Sequence, residues 1–268
     1  MKRGILLGLF LAPLFLAAAG ADLAPGWEAL ANYRAAQALT VFDRAIASGE
    51  TPGARTARFG RAVALLDRQP VTPVVVDEAR GIFAQLAESG GDDVAQGARF
   101  FLGRVAQHHQ AQPDAPEAAR QYNRLIAEHE DSIWAQTALS RLALLQIYEM
   151  NQATPPAARI TEAEKLLAHA RNASAETELH MAIANAIFFY RLPAGTALPH
   201  LLAAERLGRL DWIARAETLV QIAELSRLAG NRQQAAQYYR VFLQENPRDF
   251  RHYIVTERLA EMTKGGSL

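Results

Sequence analysis

The residues in this chain best suited to chemistry are its seven histidines, which could ligate a metal or move protons near neutral pH. His108 and His109 are adjacent, so on a helix they point in different directions. They stand just before the loop at Pro113, where a helix C-terminus favours positive charge. His129 lies between Glu128 and Glu130 in a similar setting. The chain has no His-Glu-x-x-His pair and no second ligand pair at metal spacing, so the expectation is no metal and no cofactor. Adjacent carboxylates such as Asp92-Asp93 and Glu130-Asp131 could share acid–base work. Both fall at helix ends, where they read as terminal charge or solvation. No nucleophile elbow, phosphate loop or dinucleotide fingerprint is present. The chain has no cysteine, which excludes disulfides, thiolate metal sites, cysteine nucleophiles and a lipid anchor attached through an N-terminal cysteine. Asn172-Ala173-Ser174 fits a glycosylation sequon and is read as chance. The expectation is a protein that is not an enzyme.

Composition points the same way. Half of the 268 residues are hydrophobic, enough for a large core, and 28 basic side chains balance 28 acidic ones. That balance argues against a nucleic-acid partner. Lys2, Lys165 and Lys264 are the only lysines, and the arginine and alanine bias suggests a GC-rich bacterial genome.

Lys2 and Arg3 precede an apolar run over 5–18, and Ala19-Gly20-Ala21 then offers a small-x-small cleavage site. This is the layout of a secretory signal peptide over 1–21. The competing reading is a retained anchor, but the run contains Pro13 and is shorter than the roughly 20 residues a spanning helix needs. An exported bacterial protein, periplasmic or secreted, with no stable membrane span after cleavage, is expected.

The elements must be read from a recurring pattern: alanine, a large residue four later, an apolar residue three after that. It runs Ala38-Phe42-Ala45, Ala79-Phe83-Leu86, Ala118-Tyr122-Leu125, Ala163-Leu167-Ala170, Ala197-Leu201-Ala204 and Ala235-Tyr239-Phe242. Steps of four and three put each trio on one helical stripe, whose small leading residue lets a neighbouring helix come close. Partner helices are expected over 57–66, 98–107, 135–148, 181–190 and 216–228. Loops are expected at 49–53, 90–92, 113–116, 154–156 and 230–231, with Asp114 as a cap, a capping box at Thr161 and Glu164, and a stop at Pro247. Residues 70–76 are β-branched but have no strand to pair with, so they read as loop. The first stripe, 27–47, reads as a half repeat or one long capping helix, and 248–264 as a terminal solvating helix.

The stretch 216–247 resembles a tetratricopeptide repeat. Leu219, Ile222 and Ala223 fill the large-residue and leucine–glycine slots, Gly230-Asn231 the turn, and Ala235, Tyr239 and Pro247 the alanine, aromatic and proline. Ser226 departs where an aromatic is usual, and Phe242 where alanine is common. Phe101-Leu102-Gly103 with Ala118-Tyr122, and Phe59-Gly60 with Ala79-Phe83, look like looser copies. The resemblance implies an all-α, right-handed superhelical solenoid of antiparallel helix pairs over 22–268, with about five to six repeats. It also implies a concave groove that takes an extended peptide or a partner helix. The groove would be lined by Arg61, Arg104, Gln107, Gln146, Glu149, Phe188, Arg191, Glu224 and Arg227. Four arginines against two glutamates suggest an acidic partner or a terminal carboxylate. The implied function is a scaffold or adaptor of the bacterial envelope. A subunit of a secretion or polysaccharide-export system is the alternative. A helical periplasmic enzyme, or an accessory domain of one, is the third reading.

Overall fold

The computed structural model describes residues 23–48 and 51–264. The signal-peptide reading therefore lies outside the described residues. Among those described, every regular element is a helix. They are α1 (Ala24–Ala31), α2 (Ala35–Ala47), α3 (Thr51–Asp67), α4 (Pro73–Glu88), α5 (Asp93–Arg104), α6 (Ala115–His129), α7 (Ile133–Tyr148), α8 (Pro156–Glu164), α9 (Ala173–Phe189), α10 (Leu198–Leu207), α11 (Trp212–Leu228), α12 (Arg232–Glu245) and α13 (His252–Lys264). The all-α expectation holds. The helices fall into two compact units divided between Ala135 and Gln136, within α7. In each unit consecutive helices, joined by short loops, pack side by side as antiparallel hairpins.

The alanine-headed stripes are the packing seams. Ala38 and Phe42, all of Ala79-Phe83-Leu86, all of Ala118-Tyr122-Leu125, all of Ala197-Leu201-Ala204 and all of Ala235-Tyr239-Phe242 are buried. The fourth stripe slips. After Glu164 the helix tightens into a 3₁₀ turn, Lys165–His169, so the buried series is Ile160, Ala163, Leu166 at steps of three, and Leu167 is only half-buried.

Unit one has an aromatic interior centred on Phe59. Its ring lies 5.7 Å from Phe83, 5.5 Å from Phe101, 5.9 Å from Trp134 and 6.2 Å from Trp27, mostly edge-to-face. Glycines let helices approach these rings. A Cβ on Gly60 would stand 2.5 Å from the Phe42 ring, and one on Gly97 would stand 2.8 Å from Trp134. Gly103 faces Tyr122 just as closely. In unit two, α11, α12 and α13 share a core of Leu219, Ala223, Tyr239, Phe242, Val255 and Met262. The two departures from the repeat pattern are accommodated there. Buried Ser226 donates to Gln234 at 2.8 Å, and the Arg251 guanidinium lies 5.2 Å over the Phe242 ring.

Side-chain caps start seven of the described helices: Thr72, Asp92, Asp114, Ser132, Asn172, Asp211 and Asn231 each accept from the backbone N–H three residues on. Each such cap stabilises by about 1 kcal/mol. Asn172, the residue of the sequon, is thus a helix cap. Four local readings need correction. Residues 51–53 are the start of α3, not loop, while 49–50 lie outside the described residues. Residues 73–76 open α4, because Pro73 suits a first helical position and Thr72 caps it. The capping box fails because α8 already starts at Pro156, which places Thr161 inside it. The first stripe is neither a half repeat nor one helix: the chain breaks at Tyr33, with φ at 57°, into the separate helices α1 and α2.

Two glycines separate packing from propensity. Gly60→Ala should cost about 1–3 kcal/mol, because the methyl must displace the Phe42 ring. Gly81→Ala, exposed within α4 with nothing within 4 Å of its Cβ position, should stabilise by up to about 1 kcal/mol. Urea unfolding midpoints at unchanged m-value would check both signs.

Candidate functional site: partner-binding surfaces of the two units

In unit one, Arg61 of α3 places Nε 2.7 Å from Asp43 of α2 and Nη1 2.7 Å from Glu78 of α4. It ties three helices together. Arg104, half-buried, ends α5 and passes into a π-helical turn, Val105–His109. Gln107 lies inside that turn, buried, and accepts from the Tyr122 hydroxyl at 3.3 Å. It packs α5 against α6 instead of facing outward. His109 closes the same turn. Burial, helped by the Arg104 charge, pushes its pKa down to about 4, the opposite of what a helix C-terminus alone would do. Asp92 caps α5 and pairs with Arg55, and Asp93 accepts from the Trp134 indole at 2.8 Å, so this carboxylate pair is structural. A cleft of about 550 Å³ lies over α5 and α6, lined by Glu88, Gln96, Arg99, Arg124, Glu128 and His129. Its charges are of both signs, and buried Arg99 donates to the Ala87 carbonyl at 3.3 Å.

In unit two, Glu149 follows the end of α7, and Phe188 and Arg191 stand at the end of α9, where aromatic side chains join the two helix ends. Tyr148 lies 5.3 Å from Phe189 and 5.7 Å from Tyr190, and the Tyr190 hydroxyl donates to the Ile147 carbonyl at 3.1 Å. Arg159 adds a cation 5.1 Å from the Tyr190 ring. Phe189 is 68% exposed. Arg191 follows with φ at 54°, in the left-handed position that ends the helix: Leu192 N–H bonds to the Ile187 carbonyl at 3.0 Å. An arginine there is strained where glycine would not be. Gln146, one turn earlier on α7, is half-buried, and its Oε1 lacks a hydrogen-bond partner among the described residues.

Glu224 and Arg227 of α11 pair with each other at 2.8 Å, and the Tyr239 hydroxyl donates to Glu224. Burial would raise the Glu224 pKa. The Tyr239 and Arg227 hydrogen bonds outweigh it and hold the carboxylate below its ordinary range. Of the nine residues read from the sequence, the structure therefore sets Phe188 and Arg191 at the Phe189–Tyr190 end of α9, Glu149 next to Tyr148 in the chain, and ties Arg61, Glu224 and Arg227 into ion pairs of their own.

Two features escape a reading of the sequence. Phe189 and Tyr190 frame the exposed cluster, whereas Phe188, the residue that periodicity selects, is half-buried beside them. A ladder also crosses α8, α9 and α10: the His200 Nδ1 lies 3.0 Å from the His180 Nδ1, the His200 Nε2 3.3 Å from Glu164, and the His180 Nε2 3.8 Å from Glu176. His180 and His200 are 20 positions apart, a spacing with no local signature. Burial lowers both pKa values, and for His180 the neighbouring His200 adds to the effect. Among the described residues no three histidine, aspartate or glutamate side chains converge as a metal site.

No protein-family model matches the chain, and no curated protein matches it. Among solved structures it is similar to a thermophilic TPR protein of Thermus thermophilus, at 20% identity over 90% of this chain and 96% of that one, with a TM-score of 0.30. The hairpin fold stands on the chain's own packing.

Two outcomes are expected. His109, His180 and His200 have folded pKa values below the ordinary 6.5, so under that pH the unfolded chain takes up more protons. Stability should be level above pH 6.5 and fall from there towards about 4, the folded value of His109. Denaturation midpoints across that range, with His109→Asn flattening the slope, would check this. Arg191→Gly should raise stability by about 1 kcal/mol by relieving the left-handed backbone, read as a higher unfolding midpoint.

Proposed function

We propose that this chain is an exported, non-catalytic binding module of the tetratricopeptide-repeat type, an adaptor that holds a protein partner in the bacterial cell envelope. The observation that carries the binding role is the aromatic cluster of unit two. Phe189, largely in water, is braced edge-on by Tyr148 and by Tyr190 at 4.9 Å, with Arg191 beside it in a strained backbone conformation. Rigid aromatics and arginine are the side chains on which interface affinity concentrates. Strain retained at an exposed arginine fits a binding position. The exposed Arg191 guanidinium favours an acidic segment through a charge-assisted fork. Export is supported by the charged and apolar N-terminal pattern, and the adaptor role by the resemblance of 216–247 to the repeat family.

A photo-cross-linking residue at position 189, introduced in cells, should give a discrete adduct in the envelope fraction. Phe189→Ala and Arg191→Glu should each weaken capture of the cross-linked protein at least tenfold, about 1.4 kcal/mol or more, without lowering the unfolding midpoint. Undiminished capture by both variants would defeat this placement of the binding site.

A further inference from the structure

Unit two carries a second exposed apolar surface, apart from the aromatic cluster at the ends of α7 and α9. At the corner where α11 begins, α12 ends and α13 begins stand Trp212, Ile213, Phe250, Tyr253 and Ile254, exposed by 78, 62, 89, 75 and 51%. Ion pairs hold the corner together. Arg215 in the first turn of α11 pairs with Glu245 at the end of α12. Arg251 reaches back to Glu217, one turn beyond Ile213 on the same helical face. The same guanidinium lies 5.3 Å over the Phe250 ring. Tyr253 and Ile254 follow within one helical turn. The five apolar side chains thus border a single surface.

From this patch we infer that the occupant is a second copy of the same chain, docked through the corner as a two-fold, self-complementary interface. Two observations favour that occupant. The charges that brace the corner are already satisfied: Arg215 is shared by Glu205 and Glu245, and Arg251 by Asp249 and Glu217. The exposed Arg248 and Asp211 at its rim are of opposite sign, so the surface offers no single sign of charge to a partner, as suits a patch that must meet itself. The area is also of the right order. Five large side chains, three of them aromatic, at these exposures offer roughly 600 Å² per copy, against about 800 Å² per partner in a standard interface. The polar rim, with Arg248 and Asp211 exposed beside the patch, supplies the remainder. An apolar patch of this extent is larger than scattered surface hydrophobics require.

The test uses the full chain in light scattering coupled to gel filtration. Expected is a concentration-dependent rise towards twice the 29.3 kDa chain mass. Phe250→Glu with Tyr253→Glu should return it to monomer at unchanged helical content, because both side chains lie outside the core. Phe189→Ala should leave the dimer intact, which separates this interface from the proposed partner site. The chain has no cysteine of its own, so Tyr253→Cys should give a disulfide dimer under mild oxidation while Leu228→Cys, exposed at the far end of α11, should not. A chain that stays monomeric through the micromolar range, a dimer that survives the double substitution, or equal disulfide yields from positions 253 and 228 would overturn the proposal. So would a monomer whose position 253 cross-links only to another protein.

Discussion

The fold depends on one constraint: helices must come close enough for a ring on one to lie against bare backbone on the next. In unit one this happens at four described glycines. Gly26 and Gly60 both admit Phe42, Gly97 admits Trp134 and Gly103 admits Tyr122. Each glycine weakens its own helix by about 0.5–1 kcal/mol relative to alanine. Each also permits burial of an aromatic side chain that contributes more than that when removed from water. The rings then meet one another, with Phe59 touching partners from helices on both sides. Hairpins held in this way are coupled through their interiors, so unit one has a continuous core.

That constraint explains what could be read in the chain and what could not. An alanine heading a four-then-three stripe is a direct trace of close helix approach, and five of the six stripes kept the expected register in their leading pair. The fourth slipped because 3₁₀ turns advance by three residues, and nothing in Leu166-Leu167 tells a reader which leucine is inward. Boundaries failed where two signals competed. Pro73 reads as a breaker in a β-branched run and as a good first helical residue after Thr72, and the cap decided it. The break at Tyr33 depends on a positive φ in a residue type that seldom adopts one, so it left no trace in composition.

The surface was harder to read than the core for a physical reason. Periodicity reports which side of a helix is wet, but not which distant charge will settle on it. Arg61 points away from its own helix core, as its position implied, and is then taken up by Asp43 and Glu78 from two other helices. Gln107 stands one turn beyond Gly103, on the face that meets Tyr122, so it is drawn into the α5–α6 contact and accepts from the Tyr122 hydroxyl. The His180–His200 ladder joins two helices and a third through Glu164, and only packing brings them together.

Where a chain spends its glycines, alanines and most aromatics on interior seams, the large apolar side chains left in water stand mostly at helix ends. Helix ends are also where such a chain tolerates irregular backbone, because strain there does not propagate through the seams. Arg191 and the aromatics around it occupy one such end, the Phe250–Ile254 corner another, and both lie on the surface of unit two. Their charges differ in a telling way. Arg215 and Arg251 of the corner are engaged by carboxylates from their own unit, so its apolar side chains dominate what it can meet. The α9 end instead combines an exposed ring with an exposed cation. A neutral apolar surface suits association with a like surface, and a cationic aromatic one suits an acidic chain. The same hairpin fold can carry both without either disturbing the core.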